Sequence, residues 1–250
     1  MPTYTRREVR LSSALEWLWV IILWIILGIS LLPSAGIIAF AATRWTIPGT
    51  ALLLPPSLFV SFVLYVTITG LLKRMLPPVA EGTFRLETGK RATTIWMLHY
   101  GINNYLRVFG FQRLVQSNPL LRRLYFSLYG AKIDRCAKIS YETDLLDPSL
   151  VEICEGTKIG AYTTIAGHYS DETSFILGRV RIARNVLVGG ETLIGPGVTI
   201  GEGAIIEARS GILPNTVIPA GEVWGGSPAR FRRTIHPREH TACPDTEARY

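Results

Sequence analysis

The stretch VLVGGETLIGPGVTIGEGAIIEARSGILPNTVIPAGEVWGGSPAR, residues 186–230, decides the fold because an aliphatic side chain returns in it at every sixth position. Counting from the isoleucine just upstream, the repeating positions are Ile182, Val188, Ile194, Ile200, Ile206, Ile212 and Ile218. A six-residue unit accommodates one short strand and one turn, and such units stack into a solenoid with the aliphatic side chains inside. The repeat therefore predicts a parallel β-helix of triangular coils. A β-sandwich would instead alternate apolar and polar residues with a period of two.

Glycine follows the aliphatic residue directly in three of these units, at Gly189, Gly195 and Gly201. Glycine adopts positive φ without steric cost. We therefore expect these three residues to serve the turns between strands.

The repeat reaches upstream to Ala131 and is interrupted twice. Its earlier members are Ile133 and Ile139, then Ile153, Ile159 and Ile165. An insertion of two residues near LLDPS (145–149) separates these two sets, and the register lapses again at IAGHYSDE (165–172) until Ile182. We expect a loop at this second interruption. His168, the only histidine between residues 131 and 233, stands at its start. Imidazole is partly neutral at cellular pH, so His168 could be a general base; a loop histidine without a role is the alternative.

Two apolar segments precede the repeat, at residues 17–43 and 51–72. Each is long enough to cross a bilayer, with Pro33 as an expected kink or break in the first. A cleaved signal peptide is the alternative for the first segment, but its apolar run is too long and a second span follows. Basic residues flank the pair at Arg6, Arg7, Arg10, Lys73 and Arg74. By the positive-inside rule, we expect both termini and everything after Arg74 to face the cytoplasm.

Residues 77–130 have helical spacing and predict a membrane-proximal linker, with a break at Asn118–Pro119. His99 in this linker is interpreted as structural, with a catalytic role as the alternative. Residues 234–250 are expected to form a flexible tail. The net charge of +7 fits contact with anionic lipid or phosphates. No basic helix is interleaved with exposed aromatic residues, so nucleic-acid binding is not predicted. The cysteines include no C-x-x-C pair, and no metal site is predicted.

Residues 131–233 resemble the hexapeptide-repeat acyltransferases, and the ending VIPAGEVWGGSPARFRR is similar to their closing motif. The resemblance implies a mainly β fold, a left-handed parallel β-helix, preceded here by two transmembrane helices and a helical linker. The left hand comes from the family alone. A closer resemblance links the spans, the LLRRLYFSLYGAKIDRCAKI segment and the GHYSDE segment to one unit of the C-terminal half of poly-amino-acid synthetases such as ε-poly-lysine synthetase. Those proteins carry such units in tandem, which implies a homotrimer for a single copy and an adenylation or carrier protein as a partner.

The same resemblance implies a role for His168 as the base that deprotonates an acceptor amine or hydroxyl during attack on a thioester. Asp171 and Glu172 would orient the imidazole, with loop solvation as the alternative, and Tyr169 is a candidate for acceptor binding. The donor would be acyl-CoA or a carrier-protein phosphopantetheine thioester, with no tightly bound cofactor. Candidate donor contacts on the later coils are Gly189, Gly190, Ser210, Gly225, Ser227 and Arg230. This chain departs from the family at Leu187, where a Trp is common.

We therefore expect a membrane-anchored acyltransferase that forms an amide or ester, as the amide-forming component of a poly-amino-acid or nonribosomal peptide system. An acyl-CoA-dependent O- or N-acetyltransferase is one alternative. A non-catalytic trimeric membrane scaffold or export component is another. A hydratase of the γ-carbonic-anhydrase type shares the β-helix but needs several histidines in the coils.

Overall fold

A computed structural model describes residues 6–45, 47–85, 90–108 and 111–235. The chain divides into two compact units, Met1–Leu76 and Pro77–Tyr250. Most of the tail predicted for residues 234–250, namely residues 236–250, lies outside the described residues, whereas Thr234 belongs to a strand.

The first unit contains three helices, α1 (Arg6–Ala42), α2 (Ile47–Ala51) and α3 (Leu54–Met75). Helix α1 continues through Pro33 without a break. The segments Trp17–Ala42 and Ile47–Met75 are long and apolar enough to cross a membrane, and their most apolar windows are only 17% and 22% buried. Buried serines line the contact between α1 and α3, where the Ser34 hydroxyl hydrogen-bonds to Ser57 O and to Ser61 Oγ.

The second unit begins with strand β1 (Gly82–Arg85), followed by helices α4 (Lys90–Val108), α5 (Phe111–Ser117) and α6 (Pro119–Leu128). Helix α6 begins where the sequence predicts, because the Asn118 side chain accepts hydrogen bonds from the N–H groups of Leu120 and Leu121. Pro119 suits the first helical position, since its missing N–H would have no partner there.

The β-helix follows, as its repeat predicts. Its strands, with the hairpin β8–β9 between them, are β2 (Lys132–Ile133), β3 (Lys138–Ile139), β4 (Asp144–Leu145), β5 (Val151–Ile153), β6 (Lys158–Ile159), β7 (Thr164–Ile165), β8 (His168–Ser170), β9 (Ser174–Leu177), β10 (Val180–Ile182), β11 (Leu187–Val188), β12 (Leu193–Ile194), β13 (Thr199–Ile200), β14 (Ile205–Ile206), β15 (Gly211–Ile212), β16 (Val217–Ile218), β17 (Glu222–Gly225) and β18 (Arg230–Thr234). Three parallel sheets form the faces, in the orders β2-β5-β10-β13-β16, β3-β6-β11-β14-β17 and β4-β7-β12-β15. The prediction of a left-handed parallel β-helix is confirmed.

The register of the sheets explains the six-residue period. Val188 pairs with Ile206, and Ile194 with Ile212, so each aliphatic residue lies beside the one three units later. These side chains are at most 2% exposed and stack into one apolar column inside the coils. Strand β18 closes the last coil by pairing antiparallel with β17.

The expected role of the repeat glycines is wrong. Positive φ falls elsewhere in the turns, for example at Asn185 and Gly197. Gly189 and Gly201 are needed for close approach instead: a Cβ at either position would lie 2.4 Å from a backbone nitrogen of the next coil. Such a contact is far shorter than a van der Waals distance.

The interruption at residues 165–182 is a β-hairpin rather than the expected loop. Strands β8 and β9 pair antiparallel, and β1 adds to the far edge of β9. The sequence Ser174–Leu177 has the two-residue alternation of a strand, with Phe175 and Leu177 buried. These two side chains pack with Leu150 in a cluster that Val79, Phe84 and Trp96 partly cover. The hairpin thus has a small apolar core of its own.

Candidate active site

The two interruptions of the repeat meet in the structure. The two-residue insertion forms a short 3₁₀ turn, Pro148–Leu150, directly after β4. It leaves Asp147 at the foot of the hairpin, with only 5% of the residue exposed. Gly167 lies against this turn, where a Cβ would be 2.8 Å from Leu150 Cβ and 3.0 Å from Asp147 Cβ. Only glycine allows the hairpin to begin so close to the inserted residues.

The Asp147 carboxylate accepts three hydrogen bonds. Its Oδ2 accepts from the Gly167 N–H at 2.9 Å and lies 2.6 Å from His168 Nδ1. Its Oδ1 accepts from Trp96 Nε1–H at 2.8 Å. Burying a carboxylate is costly unless its oxygens accept hydrogen bonds, and here both oxygens do. With all its neighbours acting as donors, the carboxylate fixes the proton of the imidazole on Nδ1.

This tautomer leaves Nε2 of His168 unprotonated. No described residue hydrogen-bonds to Nε2, and the side chain remains 20% exposed. An imidazole held by a carboxylate through Nδ1 and open at Nε2 can remove a proton from a molecule that approaches from solvent.

Aromatic rings hold the imidazole plane. The ring of Trp96 lies 4.7 Å from that of His168, Tyr100 contacts it edge-on at 5.2 Å, and Phe175 stacks at 6.3 Å. Trp96 and Tyr100 also stack on each other at 5.0 Å. Centroid distances in this range are those of favourable aromatic pairs. The ring therefore has little rotational freedom before any substrate binds.

Asp171 and Glu172 lie at the tip of the hairpin, and neither hydrogen-bonds to the imidazole. Asp171 accepts hydrogen bonds from the Ser174 side chain and from the N–H groups of Thr173 and Ser174. These bonds lower the pKa of Asp171 to about 2. Asp171 closes the turn, and the carboxylate that orients His168 in the structure is Asp147. Tyr169 is 48% exposed on the same strand as His168.

The candidate residues for contacting the acyl donor lie on the later coils, and Glu207 already occupies the space beside two of them, Ser210 and Gly225. The Ser210 hydroxyl is buried and donates to Glu207 O at 2.7 Å, inside the coil. A Cβ at Gly225 would meet the Glu207 carboxylate at 2.0 Å. Gly190 is partly exposed, and Ser227 and Arg230 are exposed. In the linker, His99 is buried and its Nε2 lies 2.9 Å from Pro77 O, which agrees with its structural interpretation.

Sequence reasoning missed Asp147 and Trp96. A signal for Asp147 is present in the sequence, since the insertion at LLDPS is the first of the two breaks in the repeat, but nothing in the spacing joins it to His168. Trp96 shows only helical periodicity, because its contact with Asp147 crosses 51 residues of chain.

No family model matches the chain. The delta-poly-L-ornithine synthetase of Acinetobacter baumannii (strain AB307-0294) is 28% identical over 170 residues, which are 68% of this chain and 12% of the synthetase. Gamma carbonic anhydrase 1, mitochondrial, of Arabidopsis thaliana is 35% identical over 104 residues, 39% of this chain and 36% of that protein. UDP-3-O-acylglucosamine N-acyltransferase 2 of Rhodopseudomonas palustris (strain BisB18) is 40% identical over 60 residues, 24% of this chain and 16% of that protein.

This chain thus spans much less than two thirds of each of these relatives. The resemblance of the six-residue repeat to the hexapeptide-repeat acyltransferases is confirmed, and the relatives that the chain is similar to include an N-acyltransferase and a gamma carbonic anhydrase.

Proposed function

We propose that the chain is an acyltransferase in which His168 is the general base for attack of an amine or hydroxyl on a thioester. The observation that carries this proposal is the 2.6 Å contact of His168 Nδ1 with the buried Asp147 carboxylate, which leaves Nε2 as the basic nitrogen. Two relatives support the reaction class by their names, a poly-L-ornithine synthetase and an N-acyltransferase.

The proposed reaction needs one proton carrier. As the acceptor nitrogen or oxygen attacks the thioester carbonyl carbon, Nε2 removes its proton and the carbonyl electron pair moves onto oxygen. When the tetrahedral intermediate collapses, the C–S bond breaks and the imidazolium returns the proton to the leaving thiolate. The products are an amide or ester and a free thiol. The Asp147 carboxylate stabilises the imidazolium that exists between the two transfers.

The donor is a thioester of coenzyme A or of carrier-bound phosphopantetheine. Gly189, Gly190 and Ser227 would line the pantetheine arm, and Arg230 would meet a phosphate. Ser210 would contribute through its backbone, because its hydroxyl is bound within the coil. The similarity to a poly-L-ornithine synthetase favours an aminoacyl donor and an amine acceptor.

The protein would be anchored in the cell membrane by residues 17–43 and 51–72, with both termini and the β-helix in the cytoplasm. The outward-facing apolar side chains of α1, such as Trp17 and Phe40, support this anchoring. We further propose a homotrimer, with an adenylation or carrier protein as a partner.

Two other functions make different predictions for the experiment described below. A non-catalytic scaffold or export component would have the spans and the trimer but would turn over no thioester. A hydratase of the gamma carbonic anhydrase kind would need clustered metal ligands. Across the ranges that the structure describes, no three His, Cys, Asp or Glu side chains lie together as such a site requires.

The test uses full-length protein in detergent. Wild type and His168→Ala are incubated with acetyl-CoA or with N-acetylcysteamine thioesters of ornithine and lysine, and with ornithine, lysine or glycerol as acceptors. Released thiol and the acylated product are both measured. We expect turnover by wild type with at least one pair and a loss of about 10²-fold or more in the variant.

Oligomer mass and thermal unfolding of both proteins control for folding. Equal turnover by the two proteins would refute His168 as the base. An intact, folded wild type that turns over none of these thioesters would instead favour the scaffold.

A further inference from the structure

The active site of the proposed enzyme includes side chains from outside the β-helix. Trp96 lies on α4, in the linker, and donates its Nε1–H to Asp147 Oδ1 at 2.8 Å. The same indole ring packs 4.7 Å from the imidazole of His168. One residue therefore contacts both members of the Asp147–His168 pair.

We propose that Trp96 is a positioning residue, which holds the Asp147 carboxylate in the rotation that presents Oδ2 to Nδ1 of His168. This inference rests on the proposed function and adds a linker residue to its machinery. Without the indole donor, the carboxylate has no hydrogen bond on Oδ1 to resist rotation about its Cβ–Cγ bond.

Helix α4 is itself fixed against the residues that precede Asp147. Asn103, seven residues after Trp96 and so on the same helix face, donates its Nδ2–H groups to Leu145 O at 3.0 Å and Leu146 O at 2.8 Å. Tyr125 of α6 in turn donates its hydroxyl hydrogen to Asn103 Oδ1. The buried Asn103 amide thus fixes the position of α4 relative to residues 145–146, which lead into the inserted turn. The indole reaches Asp147 from a helix whose position is already determined.

The charged and polar groups around the imidazole leave the Asp147 carboxylate to set the tautomer of His168. Among the described side chains that hydrogen-bond to the ring or pack an aromatic ring against it, only Asp147 and Tyr100 are titratable. Trp96 and Phe175 supply uncharged walls. The tautomer of His168 therefore depends on the orientation of one carboxylate, and that orientation depends on Gly167 N–H and Trp96 Nε1–H.

The test compares Trp96→Phe with wild type in the full-length protein. The substitution keeps an aromatic ring and removes the N–H donor. We expect kcat to fall about tenfold with KM within about twofold, because a hydrogen bond to a charged group is lost and no substrate contact changes. Trp224→Phe is the matched control, since Trp224 Nε1 donates to Glu222 Oε2 at 2.7 Å and the loss is again one indole–carboxylate bond.

Two further measurements separate positioning from a general loss of structure. Selective ¹⁵N labelling of histidine reports the tautomer of His168, whose signals are assigned by their absence in His168→Gln. We expect a fixed Nδ1–H tautomer in wild type and in Trp224→Phe, and a mixture of tautomers in Trp96→Phe. In the Asp147→Asn background, Trp96→Phe should change kcat by less than about twofold, because both changes act through one group.

An unchanged tautomer in Trp96→Phe, or effects of Trp96→Phe and Asp147→Asn that multiply, would overturn the inference. If none of the thioesters is turned over by wild type, the proposed acyl transfer fails, and the tautomer measurement still decides the role of Trp96.

Discussion

Exchange of Asp147 for asparagine is the most direct test of the site geometry. The carboxylate accepts from three N–H groups, at 2.6, 2.8 and 2.9 Å, and is almost fully buried. An amide can accept at only one of its two positions. If its oxygen faces Gly167 and His168, its NH₂ group opposes the Trp96 N–H. If it is turned round, its NH₂ group faces the Gly167 N–H and donates to Nδ1, so the proton of the imidazole moves to Nε2.

Both orientations have a measurable cost. Each leaves at least one buried donor opposed by another donor, so we expect the free energy of unfolding to fall by about 2 kcal/mol. The second orientation removes the basic lone pair from Nε2. Where a carboxylate orients a catalytic imidazole, this exchange costs about 10⁴-fold in kcat because the wrong tautomer forms. We expect a loss of about 10³-fold here, since the rings of Trp96 and Phe175 still hold the imidazole plane.

The assay is steady-state kinetics with the thioester pair that wild type uses, together with urea or thermal unfolding. Asp134→Asn is the matched control, because Asp134 also accepts a backbone N–H, that of Cys136, but contacts none of the site residues. A folded Asp147→Asn variant with kcat within twofold of wild type would refute the assignment of Asp147 as the partner of His168.

Two further variants test the hairpin that carries His168. Gly167→Ala places a Cβ 2.8 Å from Leu150 Cβ, so unfolding should become easier by about 1–3 kcal/mol and kcat should fall; a stability equal to wild type would contradict the close approach. Asp171→Ala should speed amide exchange at Thr173 and Ser174, whereas Glu172→Ala, as its control, should not. Because the folded pKa of Asp171 is lowered to about 2, these bonds persist as pH falls through the ordinary carboxyl range and are lost only towards pH 2, so protection should be the same at pH 7 and pH 4.

The repeat itself could be predicted from the sequence because its physics is local. Each aliphatic side chain must point into the coil, and each pairs with the residue three units later, as Val188 does with Ile206. The two apolar segments could be predicted for a similar reason, since length and composition suffice to recognise a helix that can cross a membrane. His168 could be singled out because it stands where the period fails.

The hairpin shows where such reasoning stops. Residues 174–177 alternate like a strand, but their partners are β8 and, across more than eighty residues, β1. A break in a six-residue period shows that the chain leaves the coil, and it does not show what the excursion packs against. Proximity to His168 in sequence favours Asp171 and Glu172 as its partners, but in the structure Asp171 closes the turn instead.

By itself the sequence determined the solenoid, the two apolar helices and a histidine at a break in the repeat, because each follows from contacts that recur at fixed spacing. Only the tertiary structure decided which carboxylate holds that histidine. The inserted turn brings one oxygen of Asp147 to His168, which is 21 residues away in sequence. Helix α4 brings Trp96 to the other oxygen of Asp147, across 51 residues. Hydrogen bonds of this kind depend on positions in space that coil stacking and helix packing set together, and no local spacing encodes them.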